Sequence, residues 1–309
     1  MCGIMGYCDK TGERGDRLGA TMLKMLNALG RRGPDSAGIA LFNPRPAGTQ
    51  LLRVKLGEGG DGNGQFAGRA AEVARRVGEV AAIQGQEQTG EYLRLSIGYE
   101  GDPRDLQARA ESVGPEVEVI SFGGALDIVK QVGSPQHLDE RFGIGRAAGS
   151  HAIAHTRLST ESRIDLSHSQ PFWAHGFPDV SSVHNGHITN YHKLRRQYEQ
   201  RGVRFYTEND SEIIGIYLAE TMHGGASLGE ALRESVRYFD GSFSYLAATE
   251  NEIGYAKDPF GLKPLIVAED AQQVAFATEE IALRAAVQGD IETWEPPPGS
   301  VRTWKVAGA

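Results

Sequence analysis

A cysteine stands directly behind the initiator methionine, in Met1-Cys2-Gly3-Ile4-Met5-Gly6. Its side chain is small enough for methionine removal, so Cys2 is expected to be the first residue of the mature chain. It would then carry both a nucleophile and a base. The thiol has an ordinary pKa of about 8.5, and its own α-amine, at about 7.7 to 8.0, is poised near neutral pH. No separate histidine is needed. The same residues also read as the start of a buried strand in which Cys2 is a small apolar side chain. Gly3 and Gly6 leave room for close backbone approach in either case.

A thiolate attacking a carboxamide needs donors for the oxyanion. Asn185 and Gly186 offer a side-chain amide and a backbone N–H unobstructed by a β-carbon. Arg157 can grip an α-carboxylate as a two-pronged fork, and Asp210 can accept from an α-ammonium. Combined, the four segments describe a pocket for free glutamine. Each also has a plain alternative: Asn-Gly as a turn, Asp210 as a helix N-cap, Arg157 as a surface residue.

The elements that must position these residues follow from pattern. Leu18, Met22, Met25, Leu26 and Leu29 fall at helical spacing, ending at Gly30. Arg31 to Gly38 then reads as a loop into a strand over Ile39 to Phe42, with another strand over Gln50 to Leu56. Gly57 to Gly64 has almost nothing to bury. Beyond it come a helix over Ala67 to Ile83, a strand over Leu93 to Tyr99, a helix over Pro103 to Val113 capped by Asp102, and a strand over Val117 to Phe122. These units predict a small α/β subdomain inserted at about 57–149 within a domain that otherwise runs over 1–309.

Ser150 to His155 is expected as a strand delivering Arg157 into a loop, and Val180 to Val183 as one delivering His184-Asn185-Gly186-His187. Helices are expected over Tyr191 to Gln200, Ile213 to Met222 with Asn209 or Asp210 as cap, and Ser227 to Phe239. Short strands over Phe243 to Thr249, Glu252 to Lys257, Leu265 to Ala268, Val274 to Thr278 and Ser300 to Thr303 follow, interrupted by a helix over Glu279 to Val287. This hairpin-like spacing favours antiparallel sheets between helical layers, an α+β class.

Composition sets bounds on partners. The net charge of −8 and the lack of a dense Lys/Arg run argue against nucleic acid or an anionic membrane surface. Two cysteines, Cys2 and Cys8, are too few for a disulfide framework or a four-ligand zinc site, which fits a cytoplasmic location. Neither a signal-peptide pattern nor an apolar run of about 18 residues is present.

Six motifs in order resemble the class II glutamine amidotransferase domain of the N-terminal-nucleophile hydrolases: Cys2 to Gly6, Arg31-Arg32-Gly33-Pro34-Asp35-Ser36-Ala37-Gly38, His155-Thr156-Arg157, His184-Asn185-Gly186, Thr207-Glu208-Asn209-Asp210, and Asp258-Pro259-Phe260-Gly261-Leu262-Lys263-Pro264. The resemblance covers nearly all of the chain outside about Gly57 to Gly149. It implies a four-layer αββα sandwich, and hydrolysis of glutamine through a thioester on an N-terminal cysteine. Residue by residue it assigns Cys2 as nucleophile, Asn185 and Gly186 as oxyanion hole, Arg157 and Asp210 as holders of the glutamine carboxylate and ammonium, and Arg32 as the arginine supporting the nucleophile's surroundings.

Leu158-Ser159-Thr160 stands where members making glucosamine phosphate have Trp and then Ala-Thr-His. That departure is closer to the phosphoribosyl-amine and glutamate-synthase branches. The insertion, Lys130 to Pro135 leading to Arg141-Phe142, and His155 to Ser162 most resemble the stand-alone first subunit of glutamate-synthase-like enzymes, especially N-methylglutamate synthase. The resemblance thus implies no cofactor in this chain, an FMN-dependent synthase subunit as partner in a hetero-oligomer, and an acceptor site on that other polypeptide. A non-catalytic structural subunit, or a free-standing glutaminase like amidophosphoribosyltransferase, are the alternatives.

Overall fold

The computed structural model describes residues 2–59, 63–159, 163–287, 289 and 292–307. In chain order the elements are β1 (Gly3–Asp9), α1 (Leu18–Leu29), β2 (Ser36–Phe42), β3 (Gln50–Lys55), α2 (Asn63–Gly78), β4 (Ala82–Thr89), β5 (Tyr92–Gly98), α3 (Pro103–Glu111), β6 (Glu118–Gly123), β7 (Leu126–Val132) and α4 (Pro135–Phe142). The second half holds β8 (His151–Arg157), β9 (Phe172–Trp173), β10 (Ser181–Ile188), α5 (Tyr191–Gln200), α6 (Glu212–His223), α7 (Leu228–Tyr238), β11 (Gly241–Ala248), β12 (Glu252–Lys257), β13 (Ile266–Glu269), β14 (Gln273–Ala277), α8 (Glu280–Ala286), β15 (Thr293–Trp294) and β16 (Val301–Lys305).

Side-chain alternation along β1 explains why the strand is buried on both faces. Ile4 and Cys8 join a core between two sheets, whereas Met5 and Tyr7 join a core with Leu18, Met22, Leu26, Leu138 and Leu283 of α1, α4 and α8. The first sheet has seven antiparallel strands in the order β15-β13-β14-β1-β8-β2-β7, and the second has five, β16-β12-β11-β10-β9. Val183, Leu246 and Ile253 of the second sheet meet the first, while Ile188, Phe243 and Tyr245 face Leu194, Ile213 and Leu232 of α5, α6 and α7. The layers therefore run helix, sheet, sheet, helix, as expected. Gly6 lets the two sheets close, since a β-carbon there would stand 3.0 Å from Leu246 Cδ1 and 3.2 Å from Ile253 Cδ1.

The segment expected as an insertion over about 57–149 is divided between sheets. A third sheet, β4-β5-β3-β6, takes in β3, whereas β7 pairs with β2 along seven residues and belongs to the first sheet. Strand propensity reports that a segment is extended but not which edge it joins. The third sheet shares one continuous core with the rest, since Leu52, Val54, Phe66 and Leu93 cluster with Ile4 and Phe276.

Three expected boundaries differ in ways that matter below. The helix placed over Ala67 to Ile83 stops at Gly78, and Ala82 to Thr89 is an exposed strand whose polar residues carry no burial signal. β2 starts at Ser36 within the supposed loop, because Ser36 to Gly38 pair with both β7 and β8. β10 does not end at Val183 but runs through His184-Asn185-Gly186-His187, paired with β11 throughout. No helix among the described residues is long and apolar enough to cross a membrane.

Candidate active site

Gly3 pairs with Thr156 on the neighbouring strand β8, so the chain before β1 brings Cys2 alongside Arg157. Cys2 Sγ lies 3.7 Å from the carbonyl oxygen of Leu158. The Cys2 carbonyl accepts from Arg32 Nε at 3.3 Å and from Asn185 Nδ2 at 3.4 Å. Arg32 is anchored by an ion pair with Glu279 at the start of α8. A cleft of about 830 Å³ opens over this point, and Cys2, Arg157, Asn185, Gly186 and Asp210 all line it. Arg32 does not line it but holds the Cys2 main chain from behind.

Arg157 is the last residue of β8, buried at 4% exposure, and not part of a loop. The Arg31–Gly38 segment latches it. Asp35 N donates to the Arg157 carbonyl at 3.0 Å, and Asp35 Oδ2 accepts from Ser159 N at 2.7 Å. Gly33 lies against the strand so closely that a β-carbon would be 2.4 Å from Arg157 N. The guanidinium donates to the Arg163 carbonyl at 2.8 Å. Burial draws its pKa down, against the opposing pull of Cys2, Asp165 and Asp35. An arginine nonetheless keeps its charge in such a setting.

Asn185 points inward to Cys2 because alternate residues of β10 face the first sheet. The alternation of backbone N–H groups in an antiparallel strand also places Gly186. His184 N and Ile188 N both bond side chains on the edge away from β11, to Gln170 Oε1 at 2.6 Å and Asp210 Oδ2 at 2.7 Å. Gly186 N, midway between them, faces the same edge. Glycine is required there: its φ is 147°, and a β-carbon would stand 2.1 Å from the Ser242 carbonyl oxygen.

Asp210 does not cap α6. Ser211 occupies the cap position, and Asn209 Oδ1 accepts from Ser211 N at 3.0 Å. The Asp210 carboxylate instead turns to β10, so the strand that carries Asn185 and Gly186 also fixes the acid. The Asp258–Pro264 segment is shaped by Asp258, buried and accepting from Phe243 N at 2.9 Å and Phe260 N at 2.7 Å. It brings Lys263 to the cleft. Thr160-Glu161-Ser162 and Met1 lie outside the described residues.

Two histidines of the family-like motifs are buried and neutral. Burial, with the Arg157 charge beside it, pushes the His155 imidazole down to about 3. Burial also lowers His184, despite the opposing Asp210 carboxylate. In both, burial disfavours the protonated imidazole. The arrangement can hold an amino acid by both charged ends while a thiol meets its side chain. Sequence reasoning passed over Asp35, seen only as a turn residue, and Gln170 and Glu279, for which nothing local gives a signal.

A family model described as a glutamine amidotransferase domain matches residues 155–285. The chain is similar, at 36% identity over 309 residues, to a protein named "Putative glutamine amidotransferase" of Methanothermobacter thermautotrophicus, covering 99% of this chain and 100% of that one. It is 32% identical over 308 residues to the glutamine amidotransferase-like protein GlxB of Rhizobium meliloti, covering 98% of each. Among solved structures, the allosteric regulatory enzyme of purine biosynthesis superposes with a TM-score of 0.63 at 18% identity, over 98% of this chain and 46% of that one. The glutamine phosphoribosylpyrophosphate amidotransferase from B. subtilis, complexed with ADP and GMP, gives 0.59 at 18% identity, over 98% and 49%. The chain spans about half the length of these two solved chains, which speak for the fold.

Proposed function

The chain belongs to the class II glutamine amidotransferase family, and from that premise we propose that it hydrolyses glutamine to glutamate and ammonia at Cys2. The observation that carries this reading is the convergence of Cys2, Arg157, Asn185, Gly186 and Asp210 on one cleft. Arg157 holds the α-carboxylate and Asp210 the α-ammonium, which leaves the carboxamide facing the thiol. With Met1 removed, the Cys2 amine takes the thiol proton and sulfur bonds to the carboxamide carbon. The oxyanion is met by Asn185 Nδ2 and Gly186 N. Collapse breaks the C–N bond, and the amine returns its proton to the departing ammonia. Water then cleaves the thioester to release glutamate.

The ammonia goes to an acceptor site on a partner, an FMN-dependent synthase subunit of the glutamate-synthase type, N-methylglutamate synthase included. This finer reading is supported by the loop sequences at Lys130 to Pro135 and around Arg157. Ammonia is mostly protonated in water at neutral pH, so a glutaminase docked on its synthase delivers a better nucleophile than one working alone. Mass spectrometry of the purified N-terminus and ammonia release from glutamine test the chemistry: a chain starting at Cys2, with activity abolished in Cys2→Ala, is expected. Unchanged hydrolysis in Cys2→Ala would overturn the nucleophile. Co-expression with an FMN-dependent synthase subunit of the glutamate-synthase type, followed by size-exclusion chromatography, tests the partner, and co-elution as one complex is expected.

A further inference from the structure

β9 pairs with β10 at two positions, Phe172 with Ser182 and Trp173 with Ser181. The same register, carried two residues further, sets Gln170 opposite His184. The backbone ladder stops short of that pair, at Pro171. Beyond Ser182, β10 is therefore an edge strand on that side, and this is the stretch that carries Asn185 and Gly186.

The Gln170 side chain takes the place of the missing backbone. Its Oε1 accepts from His184 N at 2.6 Å and its Nε2 donates to the His184 carbonyl at 3.2 Å. A carboxamide presents an acceptor and a donor side by side, as a peptide group does. Nε2 also donates to Ser211 Oγ at 3.1 Å, and His184 Nδ1 lies 2.8 Å from that same oxygen. The Ser211 hydroxyl donates onward to Asp210 Oδ1 at 3.4 Å. Gln170 itself is 5% exposed, and its main chain is pressed on the other sheet, where a β-carbon on Gly38 would stand 2.2 Å from the Gln170 carbonyl oxygen.

We propose that Gln170 is a positioning residue of the glutamine site, a side-chain substitute for a strand that fixes His184, and through it Asn185 and Gly186, against Cys2. The proposal rests on the glutaminase reading above. Asp210 keeps its separate bond to Ile188 N when Gln170 is removed, so the effect falls on turnover more than on binding.

The test is Gln170→Ala with kinetics and amide exchange measured on the same protein. Misplacing the oxyanion donors is expected to lower kcat about 10- to 100-fold, with KM within about threefold of wild type. The His184 amide should lose protection from hydrogen exchange while Val183, bonded toward β11, keeps its own. Gln170→Glu supplies a second arm: a neutral carboxylic acid reproduces the donor and acceptor, and a carboxylate does not. Its activity relative to wild type should rise as pH falls. Wild-type kcat and a still-protected His184 amide in Gln170→Ala would overturn the proposal, as would a Gln170→Glu protein whose relative activity ignores pH. A wild-type chain that releases no ammonia sinks the glutaminase reading instead, and exchange at His184 then decides the clamp without it.

Discussion

One N–H of the Asn185 carboxamide is committed to the carbonyl oxygen of Cys2, at 3.4 Å. A primary amide carries two, so the second is left for the oxyanion of the proposed thiol attack. This bond couples the Asn185 side chain to Cys2 and makes the position sensitive to even isosteric change. Asn185→Ala should lower kcat by about 100- to 1000-fold with little change in KM, and Asn185→Asp should do no better, because a carboxylate repels the oxyanion. Steady-state ammonia release over a range of glutamine concentrations checks this. A change confined to KM would remove Asn185 from the oxyanion site.

The two cysteines differ in environment. Cys8 is fully buried on the inner face of β1, and burial, helped by Asp9, pushes its thiol up to about 12. Cys2 is partly exposed at the cleft. Since only thiolates react appreciably, a thiol-directed glutamine analogue at neutral pH should label Cys2 and spare Cys8. Peptide mass mapping reads the result, and modification of Cys8 in the folded protein would contradict the burial described here.

Arg157 tests the substrate's carboxylate end. Arg157→Lys replaces a fork by a point charge and should cost about 1.5–3 kcal/mol of glutamine binding, seen as a raised KM with kcat largely kept. Gly33→Ala should reach the same residue indirectly. Its β-carbon would overlap the Thr156–Arg157 peptide, at 2.3 Å from Thr156 C, and the strain should cost about 1–3 kcal/mol of stability. A Gly33→Ala protein with wild-type Tm and KM would show that the loop does not hold the arginine.

His151 provides a pH probe of the fold. It is stacked on Phe42 at 4.4 Å, bonded to the Thr249 carbonyl at 2.8 Å, and held by burial at a pKa of about 4, below the ordinary 6.5. The unfolded chain takes up that proton first as pH falls. The stabilisation is therefore complete above about pH 6.5 and is lost toward pH 4. His151→Gln does not titrate there, so its stability deficit against wild type should shrink on acidification, by at most about 1.4 kcal/mol per pH unit. Denaturant titrations at several pH values measure the difference. A deficit independent of pH would mean that His151 titrates alike in both states.

The chain's own order of residues determined its candidate site residues and its layers. Cys2 behind the first methionine, Asn185 next to Gly186, and the helical spacing of Leu18 to Leu29 are local features, and composition and period report local features well. The pairing of elements lies outside that reach. That β3 belongs to the third sheet and β7 to the first depends on which edge each strand meets, and both are extended apolar segments in sequence. Asp210 reads in sequence either as a helix cap or as an acid for an ammonium, and it is an edge strand with an unmatched Ile188 N–H that turned it from the helix toward the cleft. Gln170 and Glu279 carry no local mark at all. Their roles arise only when folding sets Gln170 opposite His184 and Glu279 against Arg32, 14 and 247 residues away along the chain. Bare N–H and C=O groups on a strand edge must find partners wherever the tertiary structure brings them, and that requirement is invisible in any single segment.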